Sequence, residues 1–155
     1  MDTIESFYRD HSRAVFAFLY SLSRDRTLAE DLTQDTFVKA TRALAGFRGG
    51  DPRAWLFAIA RSVFIDHTRR RRPQPTDILE PVPGPGGPDV EERHVIESVL
   101  ARLPERQRMA LLLVDHAGLS YAEMAAVVGT GPDAAKQLLH RARTTFRTLY
   151  QEMNS

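Results

Sequence analysis

Asp51-Pro52-Arg53-Ala54-Trp55-Leu56-Phe57-Ala58-Ile59-Ala60-Arg61-Ser62-Val63-Phe64-Ile65-Asp66-His67-Thr68, followed by Arg69, Arg70, Arg71 and Arg72, decides how the first half of this chain folds. Asp51 carries the short carboxylate that accepts from the free N–H groups at a helix start. Pro52 suits the first helical position, where its missing donor costs nothing. Trp55, Leu56, Ile59 and Val63 recur at helical spacing and are expected to face a core. Successive helical residues are turned by about 100°, so the closing arginines cannot all point one way. A solvated basic helix end and a phosphate-binding surface are both open readings of that run.

Working outward, the preceding segment holds two more helical patterns. Ile4, Phe7, Tyr8, His11, Val15, Phe18, Leu19 and Leu22 follow the i, i+3, i+4 rule. A second helix is expected to start on the capping box Thr27-Leu28-Ala29-Glu30, run through Leu32, Phe37 and Ala40, and stop at Gly46. No stretch alternates with period two, so residues 1–72 read as a three-helix module. Beyond it, prolines 73, 75, 81, 83, 85 and 88 and glycines 84, 86 and 87 exclude helix and strand. Residues 73–89 are therefore expected to be a tether.

Residues 90–155 form the second module. A helix is expected near 90–102, another from 105 to 116 after Leu103-Pro104, and a break at Gly118. Ser120-Tyr121-Ala122-Glu123 is a capping box that opens a short helix ending at Gly129. Gly131-Pro132-Asp133 then starts a long helix to about Tyr150. A short helix, a glycine turn and a longer helix are the pattern of a helix-turn-helix, with an ordinary helical hairpin as the alternative. The expected fold class is all-α: two small helical domains joined by a Pro/Gly-rich linker.

Composition narrows the function classes. The 155 residues are 43% hydrophobic, with no cysteine and a net charge of +1. Disulfide scaffolds and thiolate metal sites are excluded. No signal-peptide pattern and no apolar run of about 18 residues occur, so the expected location is the cytoplasm. The charge is uneven: residues 1–72 are basic overall, and 73–89 carry only Asp77, Glu80 and Asp89. Any nucleic-acid contact must come from local patches.

Three patches stand out. On the last helix, Ala135, Leu139, Ala142, Phe146 and Leu149 share the core side. Lys136, Gln137, His140, Arg143, Thr144 and Arg147 share the other, with Arg141 at its flank. Lys and Arg match guanine edges and Gln matches adenine, so this face suits a major groove. Glu30, Asp31, Gln34 and Asp35 make an acidic surface on the second helix, either an ion-pair network or a docking face for a basic protein. Gly46-Phe47-Arg48-Gly49-Gly50 is a loop in which Phe47 either stacks on an unpaired base or plugs the core. Trp55 lies close by, with the same two readings.

Together these residues resemble bacterial sigma factors of the extracytoplasmic-function subgroup. Ala29-Glu30-Asp31-Leu32-Thr33-Gln34-Asp35-Thr36-Phe37 is similar to the core-polymerase-binding helix of that family. Trp55 to Arg61, with Asp66 and the arginine run, is similar to its minus-10 segment. Leu103-Pro104, Arg108, Gly118 to Ala125 and His140-Arg141-Ala142-Arg143 are similar to its C-terminal helix-turn-helix. The resemblance implies that Asp31, Gln34 and Asp35 dock on the beta-prime clamp helices of core RNA polymerase, with the beta flap as a further contact. It implies that Phe47, Arg48, Trp55, Arg61, Ser62, Arg69 and Arg70 engage minus-10 promoter DNA. It assigns minus-35 recognition to Lys136, Gln137, His140, Arg141 and Arg143. An anti-sigma factor is the expected regulator; no cofactor, metal or catalytic residue is expected.

Two stretches depart from the family pattern. Ser62 stands where an asparagine is usual. Asp133-Ala134-Ala135-Lys136-Gln137-Leu138 replaces Gly-Thr-Val-Lys-Ser-Arg, so Leu138 sits at an expected phosphate-binding arginine. From the residues alone, a stand-alone helix-turn-helix regulator and a protein-interaction module remain as alternatives. An enzyme fits least, because no nucleophile–base pair or phosphate-cradling glycine loop is present.

Overall fold

The computed structural model describes residues 3–70 and 90–154, the side chain of Val90 excepted. The expected tether and Arg71 and Arg72 lie outside the described residues. The described residues contain seven α-helices, α1 (Ile4–Ser23), α2 (Arg26–Ala43), α3 (Pro52–Arg70), α4 (Val90–Arg102), α5 (Glu105–Leu111), α6 (Tyr121–Val128) and α7 (Pro132–Met153), with a short 3-10 turn at Leu44–Gly46 after α2. Among the described residues there is no strand.

Local capping chemistry sets most helix ends. Thr3 and Ser6 form a reciprocal capping box at the start of α1, and Arg24 closes that helix in the left-handed conformation at φ 59°. This turn leaves Asp25 extended, with a carboxylate that accepts from the Leu28 N–H at 3.1 Å. Asp25 therefore caps α2, and the expected box on Thr27 and Glu30 does not form. Glu30 instead faces Arg26 one turn earlier, at 3.6 Å. Asp51 caps α3 as its type predicts, accepting from the Arg53 N–H at 2.9 Å.

The fifth helix runs into a wider π turn over Leu112–His116. Ala117 N–H donates to Leu112 O, and Leu119 N–H reaches back to Leu113 O. Gly118 follows at φ 80°, a conformation in which a side chain is strained. The Ser120–Glu123 box opens α6 with both reciprocal bonds present, and Gly129 closes it at φ 75°. Pro132 takes the first turn of α7.

The core is one contiguous cluster rather than two. Phe18, Leu19, Leu56 and Phe57 from α1 and α3 are buried in the same cluster as Met109, Leu113, Met124 and Leu139 from α5 to α7. Leu56 and Val63 are buried as their spacing predicts, whereas Trp55 and Ile59 are only partly covered. Phe57, Ala60 and Phe64 are buried as well. The reason is that α3 packs on α1 and α2 along one side and on α6 along another. A helix covered on two sides cannot show a single apolar stripe.

Candidate functional site

On α2, burial of Ala29, Leu32, Thr33, Thr36, Phe37 and Ala40 turns the opposite stripe outward. Asp31, Gln34 and Asp35 are exposed there, three and four residues apart on one face. Val38, 48% exposed, extends the same surface with an apolar side chain. Buried Thr33 and Thr36 satisfy their hydroxyls by donating back to Ala29 O and Leu32 O.

Between α2 and α3 the structure brings the loop aromatic and Trp55 together. The Phe47 ring lies 4.9 Å from Trp55 and 5.5 Å, edge-on, from Phe7 of α1. Phe47 is half-buried in this cluster, which anchors the loop. Arg48 is exposed beside it, and Gly49 and Gly50 follow at φ 88° and 85°. Along α3, Ser62, Arg69 and Arg70 are exposed. Arg61 is half-buried, and burial, with Arg106 nearby, pulls its pKa below the usual arginine value. Asp66 of the same helix pairs with Lys39 of α2 at 3.5 Å.

On α7, Ala135, Leu139 and Ala142 are buried, and Lys136, Gln137, His140 and Arg141 stand exposed on the outer side. Leu138 is partly buried against the core. The departure from arginine at that position thus has a packing reason: the side chain covers apolar surface. Arg143 is placed differently from its four neighbours. Its Nε and Nη2 donate to the two carboxylate oxygens of Asp115 at 3.0 and 2.5 Å. That bidentate pair, with Tyr121 also hydrogen-bonded, raises the Arg143 pKa above its ordinary value.

The pair ties α7 to the π turn, and the spacing of 28 residues hid it from sequence reasoning. Exposed pairs are usually worth under 1 kcal/mol, but bidentate geometry is the favourable case. A double-mutant cycle on Asp115→Ala and Arg143→Ala is expected to show about 1 kcal/mol of coupling in urea unfolding. Zero coupling would mean that the two side chains do not support each other.

Arg53 and Arg108 are two arginines to which sequence reasoning assigned no contact role. Arg53 is oriented by Asp51, with Nη2 at 2.8 Å and Nε at 2.9 Å from the carboxylate, and its Nη1 donates to Ala117 O at 2.9 Å. The same bonds lower the Asp51 pKa and raise that of Arg53. Arg108 reaches the carbonyls of Ser21 and Leu22 at the end of α1 and those of Ala101 and Leu103 around the end of α4. No group of three or more His, Cys, Asp or Glu among the described residues is placed to hold a metal, and no described helix is long and apolar enough to cross a membrane.

The fold and these surfaces define an all-helical protein with an exposed acidic stripe, a basic helix beside an aromatic loop and a helix-turn-helix. Comparison with known proteins agrees. Residues 7–74 match Sigma-70 region 2 and residues 93–146 match Sigma-70, region 4. The chain is 31% identical to the ECF RNA polymerase sigma factor SigM of Bacillus subtilis, over 96% of this chain and 95% of that one. It is 38% identical to the ECF sigma factor SigC of Mycobacterium tuberculosis, over 90% and 79% of the two chains. Among solved structures, it resembles the sigma factor RpoE in complex with the anti-sigma factor NepR from Bartonella quintana, with TM-score 0.80, 29% identity and coverage of 95% and 96%. CnrH in complex with the cytosolic domain of CnrY gives TM-score 0.72 at 29% identity, covering 96% and 88%. The chain belongs to the ECF sigma factors of the sigma-70 family, promoter-specificity subunits of RNA polymerase rather than enzymes.

Proposed function

We propose that residues 1–72 dock on core RNA polymerase and engage the minus-10 element, that 73–89 tether the modules, and that 90–155 read the minus-35 element. The observation that carries the reading is the separation of exposed polar stripes onto different helices, each backed by a buried apolar side. Asp31, Gln34 and Asp35 offer acceptors to basic groups on the polymerase clamp. Arg48, Ser62, Arg69 and Arg70 offer donors to a melted strand, and Phe47 and Trp55 shape the loop beside them. Capturing extruded bases offsets a few kcal/mol of unstacking.

Lys136, Gln137, His140 and Arg141 face the minus-35 duplex. Arg143 serves that face by holding α7 to the π turn through Asp115. The chain supplies affinity and promoter choice in the cytoplasm, where the polymerase acts, and nucleotide addition stays with the polymerase. Control by an anti-sigma protein belongs to the same proposal, supported by likeness to sigma factors solved with NepR and CnrY.

In-vitro transcription of a randomised promoter library by core RNA polymerase plus this chain tests the reading. Enrichment of a paired minus-35 and minus-10 motif is the expected result; no transcript above core polymerase alone would overturn it. In the same assay Leu138→Arg is expected to add a phosphate contact and sharpen minus-35 discrimination by several-fold, with a stability loss of about 1 kcal/mol from the uncovered core. Equal discrimination by both proteins would remove Leu138 from the account.

A further inference from the structure

Resting on the sigma-factor reading, we infer that Asp133 is a base-reading residue. It selects a cytosine in the minus-35 element through the amino group that this base presents in the major groove.

Asp133 opens the exposed stripe of α7. It lies three and four residues before Lys136 and Gln137 and seven before His140, so the four side chains share one face, and all four are exposed. Gly131 occupies the N-cap and makes no side-chain cap bond, so Asp133 sits inside the first turn of the helix rather than capping it. Its carboxylate takes part in no ion pair or hydrogen bond among the described residues, although Lys136 stands one turn away. The surroundings are uncrowded: Gly131, Pro132 and Ala134 are exposed, and a Cβ added at Gly131 meets nothing within 4 Å.

An acid in the first turn is favoured by the helix dipole, but that gain exists on any helix. The second helix of a helix-turn-helix points its N-terminal residues into the major groove. A carboxylate brought there is repelled by phosphates and is stabilised only where it meets a donor on a base edge. The groove offers two such donors, the amino groups of cytosine and adenine. Adenine sets the acceptor N7 beside its amino group, which opposes a carboxylate. Guanine presents two acceptors, and thymine an acceptor and a methyl group. Cytosine alone presents its amino group with no acceptor beside it, so an acceptor-only side chain selects it.

The stripe also sets the register. The amide of Gln137 matches adenine, and it follows Asp133 by four residues, about 6 Å along the helix axis. Base pairs are stacked about 3.4 Å apart. The cytosine read by Asp133 therefore lies one or two base pairs from the adenine read by Gln137.

Holoenzymes assembled from core RNA polymerase and the unsubstituted chain, Asp133→Ala or Asp133→Asn test this by transcription from promoters randomised across the minus-35 element. With the unsubstituted chain, cytosine is expected to be favoured about tenfold at one base pair. Asp133→Ala is expected to flatten the preference at that pair and leave its neighbours unchanged. Asp133→Asn is expected to move it to adenine, because the amide supplies both a donor and an acceptor. The salt dependence of promoter binding should stay the same in both variants, since no phosphate contact is lost or gained.

A selected motif that is identical with Asp133→Ala would overturn the inference. So would a change in binding spread evenly over all sequences, which is what a role confined to the helix dipole or to phosphate repulsion produces. Either result leaves the sigma-factor reading standing. No transcript above core polymerase alone from any of the three proteins would overturn that reading, and the role of Asp133 with it.

Discussion

A chain carrying Asp31→Ala and Asp35→Ala is expected to lose saturable binding to core RNA polymerase, by at least about a hundredfold in Kd. Both carboxylates lie on the outer stripe of α2, with Gln34 between them, and neither appears in any ion pair or hydrogen bond within the described chain. Their removal breaks no ion pair or hydrogen bond among the described residues, and substitutions of that kind usually stay within about 0.5 kcal/mol in stability. At an interface the balance differs. Each carboxylate would leave a basic partner group desolvated and unpaired, a loss of about 2 kcal/mol or more per site, and tenfold in affinity is about 1.4 kcal/mol. Titration of labelled protein with core polymerase, alongside a urea curve, checks both halves. Unchanged affinity would remove the α2 stripe as the docking face.

The second large effect falls on stability. Arg108→Met is expected to lower the folding free energy by about 2–4 kcal/mol, read as a shift in the urea midpoint. The Arg108 guanidinium donates to Ala101 O at 3.2 Å and Leu103 O at 3.0 Å, and to Ser21 O and Leu22 O at 3.4 Å. These are the carbonyls that helix ends leave without an intrahelical partner. Burial, the largest influence on the side chain, lowers its pKa, yet arginine stays charged throughout the working range. Methionine fills similar volume but leaves those acceptors unpaired, each costing about 1–3 kcal/mol where water cannot reach. Arg108→Lys is expected to recover only part of the loss, because a point ammonium lacks the planar fork that serves two helix ends at once. A midpoint unchanged in Arg108→Met would show that water replaces the guanidinium at these carbonyls.

Short-range signals were legible because their physics is short-range. Asp51, Ser120, Glu123 and Gly129 act on groups within four residues, and each stands in the structure where its chemistry predicted. The exception among the caps, Asp25 in place of Thr27, came from competition between two good cap residues. The left-handed Arg24 at the end of α1 decided it. The exposed stripes on α2 and α7 were likewise readable, since the apolar period of each helix dictates its outward face.

The sequence by itself determined the helices, their order, the helix-turn-helix and the stripes that resemble sigma-factor surfaces. Only the tertiary structure decided what individual arginines do. Arg143 belongs to Asp115, Arg108 to two helix ends and Arg53 to Ala117, through partners as far as 87 residues away. It also decided that Phe47 packs with Phe7 and Trp55, and that α3 is covered on two sides. A guanidinium has five donors and a long reach, so its partner is chosen by which backbone the fold brings near. Periodicity records which face of a helix is apolar, but carries no record of how many neighbours will come to cover it.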